Sequence, residues 1–132
     1  MLPVENSIFV LKVALKYNKR IWRKIAIRGD QTLTTLHHAI FRAFDREEEH
    51  LYSFYFSSKP TSTSYYNRVA GARRYGCQYS ETEDKTDITR IDNLCLQLKQ
   101  KFEYRFDYGD EWWHEITLVK INLPHPTWLT PS

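Results

Sequence analysis

The chain has 132 residues, 42% hydrophobic, 27% charged and 15% aromatic, with a formal net charge of +3. That length predicts one domain burying roughly two-thirds of its unfolded surface, and the ordinary balance of apolar and charged residues argues against disorder. The mild charge does not demand a nucleic-acid partner, and no stretch approaches the roughly 20 apolar residues of a membrane span.

The opening MLPVENSIFV lacks the basic region and apolar run of a leader. Cys77 and Cys95 form no CxxC pattern, so a disulfide framework or structural zinc site is not expected. The reading is a cytoplasmic protein, with no cofactor or metal assigned.

Ile8 to Tyr17 alternates at period two, with Phe9, Leu11, Val13, Leu15 and Tyr17 on one face, which predicts a half-buried strand. Asn18-Lys19-Arg20 reads as a turn, and Ile21 to Ile27 as a second strand pairing with the first. Arg23 falls on the apolar face of that strand, so either a bulge re-aims it or it has a buried partner. Gly29-Asp30 ends the strand, and Asp30 or Thr32 can cap a helix. Leu33, Leu36, Ile40 and Phe44 recur at helical spacing, predicting a helix over about 32–44 with His37 beside its apolar stripe and His38 on its polar side.

Asp45 to Glu49 reads as an acidic turn, and His50 to Phe56 as a third strand. Residues 57–87 are polar and variable, expected to be partly mobile, with a short strand near Tyr75–Tyr79. Asp87 can cap a short helix carrying Ile88 and Ile91. Phe102 to Ile121 reads as a hairpin whose two alternating halves flank Asp107-Tyr108-Gly109-Asp110-Glu111, with Gly109 suited to positive φ. Trp112, His114, Ile116 and Leu118 share its core-facing side. Residues 122–132 form an irregular tail, with Trp128 and Leu129 able to dock. The order predicts an α+β roll over 1–132, one main helix on a mostly antiparallel sheet, β-grasp-like in its opening strand-strand-helix-strand order.

Four stretches carry a family resemblance: Ile21–Arg23 (IWR), Thr32–Ile40 (TLTTLHHAI), His50–Phe54 (HLYSF) and Tyr104–Ile116 (YRFDYGDEWWHEI). With them the chain resembles the Ri-plasmid open-reading-frame-three-like family. Phe106 and Tyr108 exchange the aromatic types of the family's hairpin motif, and Tyr52 stands where many members carry a second His. The resemblance implies a compact cytoplasmic domain often linked to mobile elements, and it implies no established activity.

Three functional readings follow from the residues. The first is a metal-dependent enzyme site made from His37, His50, Asp107, Asp110 and His114, since imidazole with carboxylate suits a divalent transition metal, with Arg23 and Trp112 completing the candidate site around them. Its bland alternative is structural: Asp110 closes the turn, Asp107 pairs with Arg23 or Arg105, and the histidines satisfy hydrogen bonds. The second is nucleic-acid binding by Arg68, Arg73, Arg74 and Tyr75, where arginine meets phosphate and tyrosine stacks on bases, opposed by Glu81, Glu83, Asp84 and Asp87 close by. The third is a protein-interaction module whose partner docks on Trp22 and Trp113, unless residues 57–87 or the tail cover that face. The balance favours a binding or interaction module, with the metal-dependent enzyme as runner-up.

Overall fold

The computed structural model describes residues 7–77 and 84–123. Period-two alternation builds the opening hairpin, β1 (Ile8–Leu15) and β2 (Asn18–Arg28), with ends that differ from the sequence reading. Asn18, Lys19 and Arg20 belong to β2 and are not the turn. The register slips between Ala14 and Leu15, so Leu15 pairs with Asn18 and β2 absorbs the surplus residues. Tyr17, expected on the buried face, sits at the hairpin tip and is 77% exposed.

α1 (Leu33–Ala43) follows the predicted stripe, burying Leu33, Leu36, His37 and Ile40. Thr32 is its cap, accepting a hydrogen bond from the Thr35 amide, while Asp30 pairs with Arg28 instead. The first amides of the helix are satisfied by the 84–90 segment: Leu33 donates to the Thr89 carbonyl at 2.9 Å and Thr34 to the Thr86 carbonyl at 3.1 Å. Gly29, just past the end of β2, lets the chain pass close to Phe9 and Asp92, since a Cβ there would stand 2.9 Å from the Phe9 ring and 3.2 Å from Asp92 Cβ.

β3 (Tyr52–Phe56) starts two residues later than expected, leaving His50 and Leu51 in the connection from α1. The segment read as variable holds a short helix, α2 (Tyr65–Val69), then β4 (Arg73–Gly76) and β5 (Asp84–Lys85). The expected strand near Tyr75–Tyr79 is β4, and its residues beyond Cys77 lie outside the described residues. The expected short helix is one 3₁₀ turn, Ile91–Leu94, entered from Arg90, so Asp87 does not cap it and Ile88 is 76% exposed. β6 (Lys101–Phe106) and β7 (Trp112–Asn122) form the second hairpin. The expected docking of Trp128 and Leu129 lies outside the described residues.

The strands form one sheet in the order β2-β1-β7-β6-β3-β4-β5, antiparallel except for β4 with β5. The architecture is α+β with a mixed sheet. On one face α1 packs over Phe9, Leu11, Ile27, Phe54, Phe102, Tyr104, Ile116 and Leu118, all buried. The opposite face is covered in part, around Trp113. Trp113 is 4% exposed beneath Tyr65 and Arg68 of α2, which corrects the expectation of an exposed Trp113. Trp22 remains 43% exposed, with the Lys12 ammonium over its ring.

The α2 side holds a buried charge network. Arg68 Nε donates to Glu103 at 2.9 Å, and both side chains are almost fully buried. Lys16 lies 3.5 Å from Glu103 and 3.4 Å from Glu115, and Lys19 and Lys101 also reach Glu115. Burial pushes the Glu103 carboxyl up against the pull of Lys16 and Arg68. Burial also pushes Glu115 up, but its bonds and charges from Lys19 and Lys101 outweigh that and hold it below the ordinary range.

Candidate functional site

His37 is the centre of the site. Its helical position places it on the buried side, next to Leu36, so its ring enters the aromatic core and stacks on Tyr52 at 3.6 Å with planes 3° apart. The Tyr104 hydroxyl meets Nδ1 at 2.5 Å, and Glu49 Oε1 meets Nε2 at 2.7 Å. A carboxylate only accepts, so Nε2 carries the hydrogen and Nδ1 accepts from the tyrosine. Burial is the main reason that the His37 pKa drops to about 4, against the opposing pull of Glu49. Tyr104 is fully enclosed, and burial raises its pKa well above the ordinary value.

A cavity of about 500 Å³ opens beside this ring. Helix α1 contributes Thr34, His37 and His38 to its wall, the following connection contributes Glu49, His50 and Leu51, and Tyr52 forms part of β3. Cys77 and Asp87 close the far side. Thr34 and Tyr52 both reach the Thr86 hydroxyl, at 2.9 and 3.0 Å, which ties the helix wall to the 84–87 wall. The volume lies in the range of small-molecule pockets, and an aromatic wall with a few convergent polar groups is their usual lining.

Of the residues singled out in sequence, His37 and His50 line this cavity. Asp107 touches its edge through His50, with Nε2 3.6 Å from Oδ2. It makes no ion pair with Arg23 or Arg105, correcting that expectation: Arg23 Nε donates to the Ala43 carbonyl, and Arg105 pairs with Glu111. Arg23 needs neither bulge nor buried partner, because its end of β2 is exposed and caps the helix C-terminus. Asp110 is exposed in the hairpin loop. Trp112, expected to face the core, is 47% exposed, with the Arg46 guanidinium over its ring.

His114 is buried apart from the cavity. Its Nε2 accepts from Arg46 Nη2 at 2.9 Å and its Nδ1 donates to the Tyr104 carbonyl at 3.3 Å. Burial first, then the Arg46 charge, lower its pKa to about 3. The histidines and aspartates read as one cluster therefore form no single ligand set. A different group converges instead: ligand atoms of His37, His38 and Glu49 lie within 4.8 Å of one another.

The nucleic-acid candidates are also dispersed. Arg68 is 1% exposed and paired with Glu103, and Tyr75 is 7% exposed. Arg73 pairs with Asp84 and lies over the Tyr75 ring, which leaves Arg74 as the exposed member of this set with no ion pair among the described residues.

A family model described as plasmid pRiA4b ORF-3-like protein matches residues 7–132. The chain belongs to that family. A solved protein of unknown function from Methanosarcina mazei Go1 shares the fold, with a TM-score of 0.71 at 23% identity over 97% of this chain and 67% of that one. No curated protein matches. In this pRiA4b ORF-3-like protein, no helix among the described residues is long and apolar enough to cross a membrane. Its cavity uses residues that sequence reasoning passed over, chiefly His38, Glu49 and Cys77, and Tyr104 backs it from the core through His37. The adjacent pair His37-His38 was the available signal, because helical geometry turns neighbours about 100° apart and so directs one ring inward and one toward the rim.

Proposed function

We propose that this chain is a small-ligand binding module whose site is the histidine-walled cavity. The observation that carries the reading is the convergence of His37, His38, His50 and Glu49 on a space of about 500 Å³ floored by Tyr52. The rings offer both hydrogen-bond roles and stacking surface, while Glu49, Asp87 and Thr34 supply polar ends. We read the sheet and both of its covers as one domain. The hairpin–helix opening, with β7 seated beside β1, supports the β-grasp-like comparison for connectivity alone. Exposed Trp22 supports a separate protein contact less strongly, since it stands without Trp113.

The test is a fragment screen read by amide chemical shifts. Binding should move the signals of Thr34, Leu51 and Cys77 together and leave those of β2 unchanged. Hits that scatter over the surface, or none from a diverse polar and aromatic set, would exclude the cavity as a binding site.

A further inference from the structure

We propose that the wall of this cavity is a divalent transition-metal site, with His37 Nε2, one His38 ring nitrogen and the Glu49 carboxylate as its three protein ligands. The inference deepens the pocket reading and differs from the hairpin cluster expected in sequence.

Three observations support it. First, two imidazoles and one carboxylate already lie within 4.8 Å of one another, and this donor set suits zinc, iron or manganese. A tetrahedral site with bonds of about 2.1 Å needs donors roughly 3.4 Å apart. His37 and Glu49 are already 2.7 Å apart, so the adjustment falls on His38 and Glu49, both at exposed positions with freedom to turn.

Second, the His37 ring is fixed in place by partners on its far nitrogen and its face, as a ligand histidine must be, although its tautomer has to change. The Tyr104 hydroxyl engages Nδ1 from inside the core and Tyr52 clamps the ring face, so Nε2 is fixed toward the cavity wall. On metal binding the neutral ring changes tautomer: Nε2 releases its hydrogen to solvent in the cavity, Nδ1 takes one from solvent, and the Tyr104 hydroxyl keeps its own hydrogen but rotates so that its oxygen accepts from Nδ1–H, the usual outer partner of a ligand imidazole.

Third, the three ligands stand on one wall of the cavity. A metal there keeps a coordination position open toward the enclosed space, for water or for a ligand atom. A hydrogen bond between His37 and Glu49 accounts for that pair alone and gives His38 no part.

The test is calorimetric titration of untagged, chelator-treated, desalted protein with zinc chloride, with magnesium chloride as control. We expect one equivalent of zinc, bound at micromolar dissociation constant or tighter, and no comparable magnesium binding. His38→Ala and Glu49→Gln should each weaken zinc at least tenfold, and because both positions are exposed their folding is checked directly by the unchanged melting curve of the metal-free protein. Glu49→Gln retains a hydrogen-bond acceptor for His37, so a purely structural pair would leave zinc affinity unaltered. Absence of zinc uptake, or uptake equal in wild type and both variants, overturns the site. Fragment binding in the cavity without zinc binding defeats this inference alone, and zinc binding without any fragment defeats the small-ligand reading alone.

Discussion

The Tyr104 hydroxyl and His37 Nδ1 are 2.5 Å apart, and both side chains are almost fully buried. The carbonyl of the same tyrosine meets His114, so one residue of β6 orients a histidine from α1 and another from β7. Tyr104→Phe keeps the ring and removes only the hydroxyl. The buried Nδ1 then loses its donor, at an expected cost of about 1–3 kcal/mol in denaturant titrations. Nitrogen NMR should show His37 losing its single tautomer. A variant as stable as wild type, with the tautomer intact, would contradict the assigned bond.

His114 makes stability depend on pH. Its folded pKa, about 3, is depressed from an ordinary 6.5. The unfolded chain therefore takes up a proton as pH falls below about 6.5, while the folded chain resists until about 3. The contribution is complete above that window and is lost on acidification, at up to about 1.4 kcal/mol per pH unit from this residue. Unfolding free energies measured from pH 7 to 4 with a chelator present should fall less steeply in His114→Asn than in wild type. Parallel slopes would mean that His114 is not held neutral.

The helix face gives a direct contrast. Leu36 and Ile40 are fully buried, and His38 is exposed. Leu36→Ala and Ile40→Ala should each cost roughly 2–5 kcal/mol through the cavity left behind. His38→Ala should be nearly neutral in metal-free protein. Equal losses at all three positions would reject this packing.

Arg68 should behave as a structural residue. Arg68→Met leaves Glu103 buried with Lys16 as its one cation among the described residues, and breaking a buried pair in this way costs about 3–5 kcal/mol. Arg73→Ala and Arg74→Ala, both exposed, should change stability little. Retained nucleic-acid binding that weakens steeply with salt, with a slope flattened by these two surface changes, would revive the arginine–tyrosine reading of this segment.

The hairpin corner separates two aspartates that sequence treats alike. Asp107 Oδ1 accepts from the amides of Gly109 and Asp110, at 3.0 and 3.3 Å, and Asp107 itself sits at φ 62°. Positive φ thus falls on Asp107 and on Glu111, not on Gly109. Asp107→Ala loses the bonds and is strained in the left-handed region, for about 1–3 kcal/mol together, whereas Asp107→Asn keeps most of both advantages. Asp110→Asn should be silent in thermal melts, and a loss there equal to that of Asp107→Ala would refute the assignment.

Periodicity made the strands and α1 legible, because Phe9, Leu11 and Val13 on one side, and Leu33, Leu36 and Ile40 on the other, follow the two simple repeats of a half-buried sheet and a packed helix. It missed α2, whose five residues bury only Arg68 and so leave no apolar stripe. It also failed for the α2 side of the sheet, where Glu103 and Glu115 are buried as partners of Lys16, Lys19, Lys101 and Arg68. Charged residues there read as solvent-facing in sequence, since burial of charge depends on partners far along the chain. The site was half legible for the same reason. His37 and His50 stood out, but Tyr104 looks like one more core aromatic until its hydroxyl finds the helix.

The sheet order has a kinetic consequence. Among the described strands β7 alone joins the β2-β1 pair to the β6-β3-β4-β5 block, and Ile8 pairs with Asn122 across nearly the whole described chain. The opening hairpin and α1 emerge from a ribosome early, yet β1 has one edge bare until β7 has been synthesised. Loop closure over so many residues must precede the contacts that reward it, which slows folding and prolongs exposure of a Val- and Leu-rich edge. Nascent chains stalled before Trp112 should therefore recruit chaperones, and those released after Asn122 should not.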